Sequence, residues 1–185
     1  MKLVIPSLET LPSYVKALGA GWYSNSPQGP KFALEELERI QTNAAVYLSS
    51  LVEMAGLGQF VRLPDGMVLP RLSSMRLWIW DGEYCGFIRL RWWPGKDHLP
   101  PECLGHIGYA VVPEKRRKGY ASQALAETLR IAKAEGLAYV ELATDLENSA
   151  SRRTIEKNGG VLVEQFSKPG TRSEQISVRY RICLP

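Results

Sequence analysis

Residues that build disulfide frameworks and metal centres are scarce in this sequence. Its 185 residues include 3 cysteines and 2 histidines, and no two cysteines stand in C-x-x-C spacing. A disulfide-stabilised domain or a structural zinc site needs more of these residues at closer spacing. Because disulfides accumulate in oxidising compartments, the scarcity of cysteine predicts a cytoplasmic location, and we expect no metal site.

Long hydrophobic runs and a strong charge imbalance are also missing. A transmembrane helix needs about 18 consecutive apolar residues, and this sequence has no such stretch. The apolar residues before Pro6 are too few for a secretory signal. The net charge of +4 permits an anionic ligand without requiring nucleic acid, so we expect neither a nucleic-acid nor a membrane partner. With 45% hydrophobic and 23% charged residues, the composition is that of an ordinary globular protein. We expect a single domain over residues 1–185.

Hydrophobic periodicity predicts a mixed α/β (α+β) fold, in which helices cover a sheet. The predicted strands are 2–5, 75–80, 86–93, 105–112, 138–143, 161–166 and 176–182, and the predicted helices are 7–20, 34–55, 119–135 and 148–158. Asp81-Gly82 is a hairpin-turn dipeptide between the second and third of these strands. The last strand alternates apolar and polar residues, which predicts one solvated face. Such a strand is typical of a sheet edge, where a second copy of the chain could pair. The protein could therefore be a monomer or a homodimer.

The most informative segment is the basic run from Lys115 to Lys118, between a predicted strand and a predicted helix. A helix N-terminus carries a partial positive charge, so cations there are unfavourable unless an anion binds. Free N–H groups of the first turn, and Gly119 allowing close approach, are typical of a phosphate-binding loop. A solvated charged run and a nucleic-acid contact are the alternative interpretations.

The spacing Arg116-x-x-Gly119-x-Ala121, after a strand ending in Val-x-Pro, resembles the acetyl-CoA motif of the GCN5-related N-acetyltransferase (GNAT) superfamily. The strand–helix unit from Val140 to Gly159 resembles the second motif of that superfamily. The resemblance covers roughly residues 78–166 and is closest to an uncharacterised group of predicted bacterial acetyltransferases. It implies the acyl-CoA N-acyltransferase fold: a mixed, mostly antiparallel sheet of about seven strands, with helices on both faces. It also implies a splay between the fourth and fifth strands, residues 105–112 and 138–143.

The resemblance further implies that acetyl-CoA is the co-substrate. One set of residues would line the pyrophosphate with backbone N–H groups: Arg117, Lys118, Gly119, Tyr120, Ala121 and Ser122. Arg116 would also bind the cofactor. A second set would pair with the pantetheine arm or hydrogen-bond to it: Tyr109, Ala110, Val111 and Asn148. A backbone N–H near Val111 would polarise the acetyl carbonyl.

The implied reaction is direct attack of a primary amine, from a small molecule or a peptide, on the thioester. An ammonium ion has no lone pair, so a base must remove its proton. Glu141 is the first candidate, and His106 and Glu102 are the others, although each residue also has an ordinary structural interpretation. Many members of the superfamily carry an acidic tyrosine at the position of Ile155 and an aromatic residue at that of Gly160. Three alternatives are open: the thiolate leaves unassisted because a thiol is a good leaving group, another tyrosine (Tyr109, Tyr120, Tyr139 or Tyr180) protonates it, or water does.

Two other functions fit the same motifs. One is a non-catalytic acyl-CoA-binding regulator, because the usual tyrosine is missing. The other is a nucleic-acid-binding module built on residues 115–118, for which salt-dependent binding would be diagnostic.

Overall fold

Two half-sheets that separate along one boundary form the centre of the computed structural model. The model describes residues 1–23, 29–55, 59–62, 66, 68–167 and 176–184. The first half-sheet has the order β1-β5-β6-β7, with β2 also paired to β5, and the second has the order β8-β10-β9. Every strand pairing among the described residues is antiparallel.

The described residues form ten strands and five α-helices. The strands are β1 (Lys2–Val4), β2 (Val52–Glu53), β3 (Phe60–Arg62), β4 (Val68–Pro70), β5 (Ser73–Trp80), β6 (Tyr84–Trp92), β7 (Ile107–Val111), β8 (Tyr139–Asp145), β9 (Val161–Ser167) and β10 (Ile176–Cys183). The helices are α1 (Leu11–Gly19), α2 (Lys31–Thr42), α3 (Ala44–Ser49), α4 (Tyr120–Ala134) and α5 (Ser149–Lys157). A short 3-10 helix covers Pro113–Lys115. None of the described helices is long and apolar enough to cross a membrane.

Helices cover both faces of the first half-sheet, as the resemblance implies. On one face, α1, α2 and α3 enclose an aromatic core that includes Tyr14, Tyr47 and Trp78. On the other face, α4 and α5 pack on Ile88, Leu142 and their neighbours in the larger core. The strand count is eight in the two half-sheets, with β3 and β4 forming a separate hairpin.

The boundary between β7 and β8 is the predicted splay. A backbone link lies at one end of this boundary, just before β7, where His106 N–H donates to Glu141 O of β8 at 2.7 Å. Beyond it the strands are not paired. The N–H groups of Arg91 and Val112 bond across the β6–β7 boundary, to His106 O and Cys85 O respectively. Because bonding alternates along an antiparallel strand, the N–H and C=O groups of Tyr109 and Val111 point into the splay.

Gly105 sets how closely the two half-sheets approach at the joined end. A Cβ on Gly105 would lie 2.8 Å from Glu141 O and 3.2 Å from Leu142 Cα, which are backbone atoms that cannot rotate away. We therefore expect Gly105→Ala to lower the free energy of unfolding by about 1–3 kcal/mol, the usual cost of overpacking. Urea unfolding measures this value. Gly108→Ala is the matched control, because a Cβ there meets nothing within 4 Å. Equal stability of the two variants would contradict the assignment.

The long helix predicted over 34–55 is wrong, because Asn43 interrupts it. Asn43 has an extended backbone (φ −162°), and its side chain accepts a hydrogen bond from Val46 N–H and so begins a second helix. The apolar spacing continues across this break, which is why periodicity alone predicts one helix. The chain then forms β2 instead of a last helical turn. The first helix begins at Leu11 rather than at Ser7, since residues 8–10 form a turn closed by Ser7 and Thr10.

The last strand does not lie at an edge. β10 pairs with β8 on one side and β9 on the other, so β9 is the edge strand of the second half-sheet. The predicted alternation holds from Val178 to Ile182, but Ser177 is buried and Ile176 is exposed. The outer edge of the second half-sheet, predicted for the last strand, is therefore formed by β9.

Candidate active site

The loop that joins β7 to α4 is shaped to receive an anion. Gly119, the N-cap of α4, has a left-handed backbone (φ +77°) and no side chain to cap the helix. Arg117 is left-handed as well (φ +61°), the one such non-glycine residue described. A left-handed arginine is strained, and such strain is typical of functional loops. The first α-helical hydrogen bond runs from Gln123 N–H to Gly119 O, so the preceding N–H groups are free to bind a ligand.

This loop opens into a cavity of about 760 Å³ at the splay. The cavity lies between the last residues of β7, the beginning of α4 and the exposed face of α5, and the residues after α1 also contribute. Its lining comprises Trp22, Tyr23, Tyr109, Ala110, Val111, Lys115, Arg116, Arg117, Gly119, Tyr120, Ala121, Ser122, Asn148, Ala150, Ser151, Arg153, Thr154 and Lys157. The volume is ample for a nucleotide-sized ligand.

The cavity is strongly cationic. Four of its cations, Arg116, Arg117, Arg153 and Lys157, have no carboxylate within 4.0 Å among the described residues, and no described carboxylate lines it. Cations around free helix N–H groups favour phosphate. The basic run is therefore divided between several roles, since Lys118 is exposed and does not line the cavity.

Lys115 holds the loop rather than facing a ligand freely. Its Nζ atom lies 3.0 Å from both carboxylate oxygens of Asp81 and 2.7 Å from Glu83 Oε1. Tyr120 Oη donates to Asp81 Oδ2 at 2.7 Å, so one carboxylate in the β5–β6 turn ties the basic loop to the first turn of α4. The Tyr120 hydrogen bond, with the contribution of Lys115, holds the pKa of Asp81 well below its usual range.

We expect Asp81→Asn to weaken acetyl-CoA binding by about 3–10-fold, the cost of one charge-assisted hydrogen bond that acts indirectly. Calorimetric titration at pH 7 measures this. Glu83→Gln is the control: it removes a carboxylate from the same lysine, but one that is half exposed, and we expect less than about a twofold effect. Because the pKa of Asp81 is lowered in the folded protein, its carboxylate stays ionised above about pH 4. Its contribution to acetyl-CoA affinity is therefore complete above that pH and is lost only as the pH falls further. A binding defect equal in both variants would contradict this role.

Tyr109 spans the splay. It belongs to β7, and its Oη atom lies 3.0 Å from Ser151 Oγ and donates to Ser151 O at 3.3 Å, in the first turn of α5. Burial raises the pKa of Tyr109, so its hydroxyl stays protonated at neutral pH. Of the tyrosines considered from the sequence, Tyr109 is the one whose hydroxyl reaches across the cavity.

The other three tyrosine hydroxyls have different positions. Tyr120 is bound to Asp81, as described above. Tyr180 donates to Glu156 at 2.6 Å and accepts from Arg152 at 3.0 Å on the far side of α5. The ring of Tyr139 lies under the Arg181 guanidinium, with its centroid 4.2 Å from Cζ.

Ile155 and Gly160, the two departures from the superfamily pattern, lie against each other. Ile155 is fully buried in the larger core. A Cβ on Gly160 would overlap the Ile155 side chain and lie 2.9 Å from its carbonyl oxygen. A glycine at 160 is therefore the residue that fits beside this isoleucine, and the site of the usual tyrosine is filled by the core.

The three predicted proton-transfer residues do not line the cavity. Both ring nitrogens of His106 are engaged, because Nδ1 accepts from Glu141 N–H at 3.0 Å and Nε2 lies 3.1 Å from Asp97 O. Burial lowers the pKa of His106, which favours this neutral ring. Glu102 is exposed in a turn before β7.

Glu141 lies on the sheet face opposite α5, between two arginines. Its carboxylate accepts from Arg181 at 2.7 Å and from Arg179 at 3.3 Å. The structure thus engages both carboxylate oxygens of Glu141 in ion pairs on the sheet, away from the cavity lining.

Asn148 lines the cavity, but part of its side chain has a structural role. Its Oδ1 atom accepts from Ser151 N–H at 3.1 Å and caps α5. The residues of α5 that line the cavity were missed in the sequence, although Arg153 and Lys157 are four apart on one helical face. Trp22 and Tyr23 of the lining follow α1, and residues 24–28 lie outside the described residues.

A family model for acetyltransferases of the GNAT family matches residues 49–160, more than half of the chain. The chain belongs to this family. It is accordingly an acetyl-CoA-dependent N-acetyltransferase, which moves an acetyl group to an amine. The basic loop before α4 and the β8–α5 unit are the folded forms of the two sequence motifs.

Solved structures support the same fold. The microcin C7 self-immunity acetyltransferase MccE, in complex with acetyl-CoA and AMP, is 11% identical, with 98% of this chain and 91% of that chain covered and a TM-score of 0.61. The ribosomal L7/L12 alpha-N-protein acetyltransferase RimL, in complex with coenzyme A, is 13% identical, with 98% and 93% covered and a TM-score of 0.61. A mutant of the spermidine N-acetyltransferase SpeG from Vibrio cholerae is 13% identical, with 100% and 95% covered and a TM-score of 0.58. No curated protein matches the chain.

Proposed function

We propose that acetyl transfer occurs in the splay cavity, by direct attack of a primary amine, and that Tyr109 is the general acid. The observation that carries this proposal is the position of the Tyr109 hydroxyl, which reaches from β7 to α5 across the cavity. The N–H groups of Tyr109 and Val111 on the same strand edge point into the splay as well. Acetyl-CoA would supply the activated acetyl thioester.

The residues present fit that co-substrate. The left-handed Arg117 and Gly119 expose backbone N–H groups beside four cations that lack carboxylate partners among the described residues, as a pyrophosphate requires. Tyr109 and Val111 offer an unpaired strand edge to an amide-containing arm. The amide Nδ2 of Asn148 is available to the same arm. Arg116, whose Nε now donates to Val111 O at 3.1 Å, and Lys157 would meet the phosphates.

We further propose that the acceptor amine loses its proton to water. No described carboxylate lines the cavity, so a bound ammonium ion would lose solvent without gaining an acidic partner, and its pKa would be lowered. Glu141 then serves to position Arg179 and Arg181.

We expect Glu141→Gln to show the same rise of kcat/KM with increasing pH as the wild type. Loss of that limb, with an unchanged melting temperature, would instead make Glu141 the base.

The distribution of the basic run favours acetyl-CoA over nucleic acid as its partner. Lys115 is held by Asp81 and Glu83, and Arg116 and Arg117 face the cavity. All three cysteines are free, which supports a cytoplasmic location. A single domain, and either a monomer or a homodimer, stay predictions.

Two measurements test the proposed function together. Calorimetry with acetyl-CoA and with CoA tests the cavity, and a thiol-trapping assay over a library of primary amines detects released CoA. We expect micromolar binding and amine-dependent release. Normal binding without release for any amine would favour the non-catalytic acyl-CoA-binding regulator. Failure to bind either molecule would overturn both functions.

A further inference from the structure

Three arginines share the sheet face that carries α1, α2 and α3. Arg76 of β5 and Arg89 of β6 are direct cross-strand partners, and Arg91 follows Arg89 on the same face. Alternation places them with Trp78 and Phe87, which pack against those helices. Like charges directly opposite each other destabilise a sheet, so this arrangement requires a reason beyond folding.

Two of these arginines lack an acidic partner among the residues that the structure describes. Arg76 lies 3.7 Å from the buried Glu36. Arg89 donates from Nε to Ser74 Oγ at 2.9 Å, and Arg91 donates from Nε to Gly105 O at 2.8 Å. Among the described residues, no carboxylate lies within 4.0 Å of either, and their terminal Nη atoms have no hydrogen-bond partner.

The electrostatic cost falls chiefly on Arg89. Burial lowers the pKa of Arg89, and the neighbouring charges of Arg91 and Arg76 lower it further. An anion beside the guanidinium would relieve both the desolvation and the repulsion. The terminal Nη atoms form the planar fork that matches a carboxylate in a bidentate arrangement.

Gly108 leaves the space above Arg89 open toward the cavity. Gly108 is the cross-strand partner of Arg89 in β7, it is exposed, and a Cβ there would meet no atom of the described part of the chain within 4 Å. Ala110 is the next residue on the same face, and it lines the cavity. Neighbouring strands lie about 4.8 Å apart, so this distance separates the backbones of Arg89 and Gly108. Along β7, Gly108 and Ala110 are about 7 Å apart.

We propose that Arg89, assisted by Arg91, binds the carboxylate of an acceptor that carries both an amine and a carboxylate. The inference rests on the proposed function and specifies its acceptor class. The amine of such a molecule would reach the splay over Gly108, while its carboxylate would stay on the arginines. A polyamine, in contrast, would bring further positive charge to a face that already has an excess of cations.

Matched acceptor pairs test this class directly. The wild type is assayed with lysine against cadaverine and with phenylalanine against phenethylamine, so that each pair differs only by the carboxylate. Phosphoethanolamine against ethanolamine forms a separate arm for phosphate. We expect kcat/KM to favour the carboxylated member by about 10–100-fold, the range of a hydrogen bond to a charged group.

The variant series assigns the effect to Arg89. Arg89→Gln should remove the preference and leave the affinity for acetyl-CoA unchanged, and Arg89→Lys should restore part of it. Arg130→Gln, on the exposed side of α4, removes the same charge elsewhere and should change nothing. Calorimetric binding of N-acetyl-phenylalanine and of its amide to the CoA-saturated protein gives a second readout that needs no turnover.

Each outcome decides the proposal. A carboxylate preference in turnover or binding that is lost in Arg89→Gln supports it. Equal use of both members, a preference for cadaverine, or a phosphate preference alone overturns it. An equal loss for both members in Arg89→Gln, with a lower melting temperature, assigns the arginine a structural role and also overturns it. Normal acetyl-CoA binding with no CoA release contradicts the proposed function instead. The calorimetric binding of N-acetyl-phenylalanine and its amide then still tests the role of Arg89.

Discussion

Gly119→Asp is expected to weaken acetyl-CoA binding by about 100-fold, whereas Gly119→Asn should weaken it by less than about fivefold. Both residues tolerate the left-handed backbone that Gly119 adopts better than other L-residues do. A Cβ there meets only Gln123 Nε2 at 3.6 Å, so space is not limiting. The two variants therefore differ by one negative charge at the free N–H groups of α4.

Calorimetric titration with acetyl-CoA in low-salt buffer gives the two dissociation constants. Melting temperatures of both variants, measured without ligand, show that the fold is equally intact. The difference should shrink with added salt, because screening weakens the repulsion between the new carboxylate and the phosphates. Equal affinities for the aspartate and asparagine variants would show that the pyrophosphate does not bind at this helix terminus.

Tyr109→Phe is expected to lower kcat by about 100-fold and to leave the affinity for acetyl-CoA nearly unchanged, as the loss of a general acid does. The phenyl ring keeps the packing of Tyr109 in the splay, and only the hydroxyl that bonds to Ser151 is lost. Since burial raises the pKa of Tyr109, the acid stays protonated throughout the neutral range. The wild type should therefore show no loss of activity from this group below about pH 10.

Tyr120→Phe is the matched control for Tyr109→Phe. It removes a hydroxyl from the same cavity, but this one binds Asp81 and supports the basic loop. We expect it to raise KM for acetyl-CoA while kcat changes little. If Tyr109→Phe also acted only on KM, its hydroxyl would be a binding group, and the thiolate would leave without help from this residue.

The site divides clearly into parts that sequence patterns predict and parts that they do not. The loop from Arg116 to Ser122 was predicted because its parts are contiguous: a strand end, a cationic run, a glycine and a helix start. The helix break at Asn43 was not predicted, because its cause is a local cap within an unbroken apolar spacing. His106 looks like a base in the sequence, yet the folded chain engages both of its ring nitrogens.

The sequence by itself determined the family and the splayed fold, through the resemblance of two motifs to the GNAT superfamily. The predicted phosphate loop follows from a short-range pattern, since backbone conformation and helix termini depend mostly on near neighbours. Only the tertiary structure decided which tyrosine crosses the cavity, because Tyr109 and Ser151 are 42 residues apart. The register of β5, β6 and β7 likewise decided that Arg76, Arg89 and Gly108 are neighbours. Because side chains alternate along a strand, a shift of one residue in that register would turn them to the other face of the sheet. Short-range sequence patterns do not specify how distant strands pair.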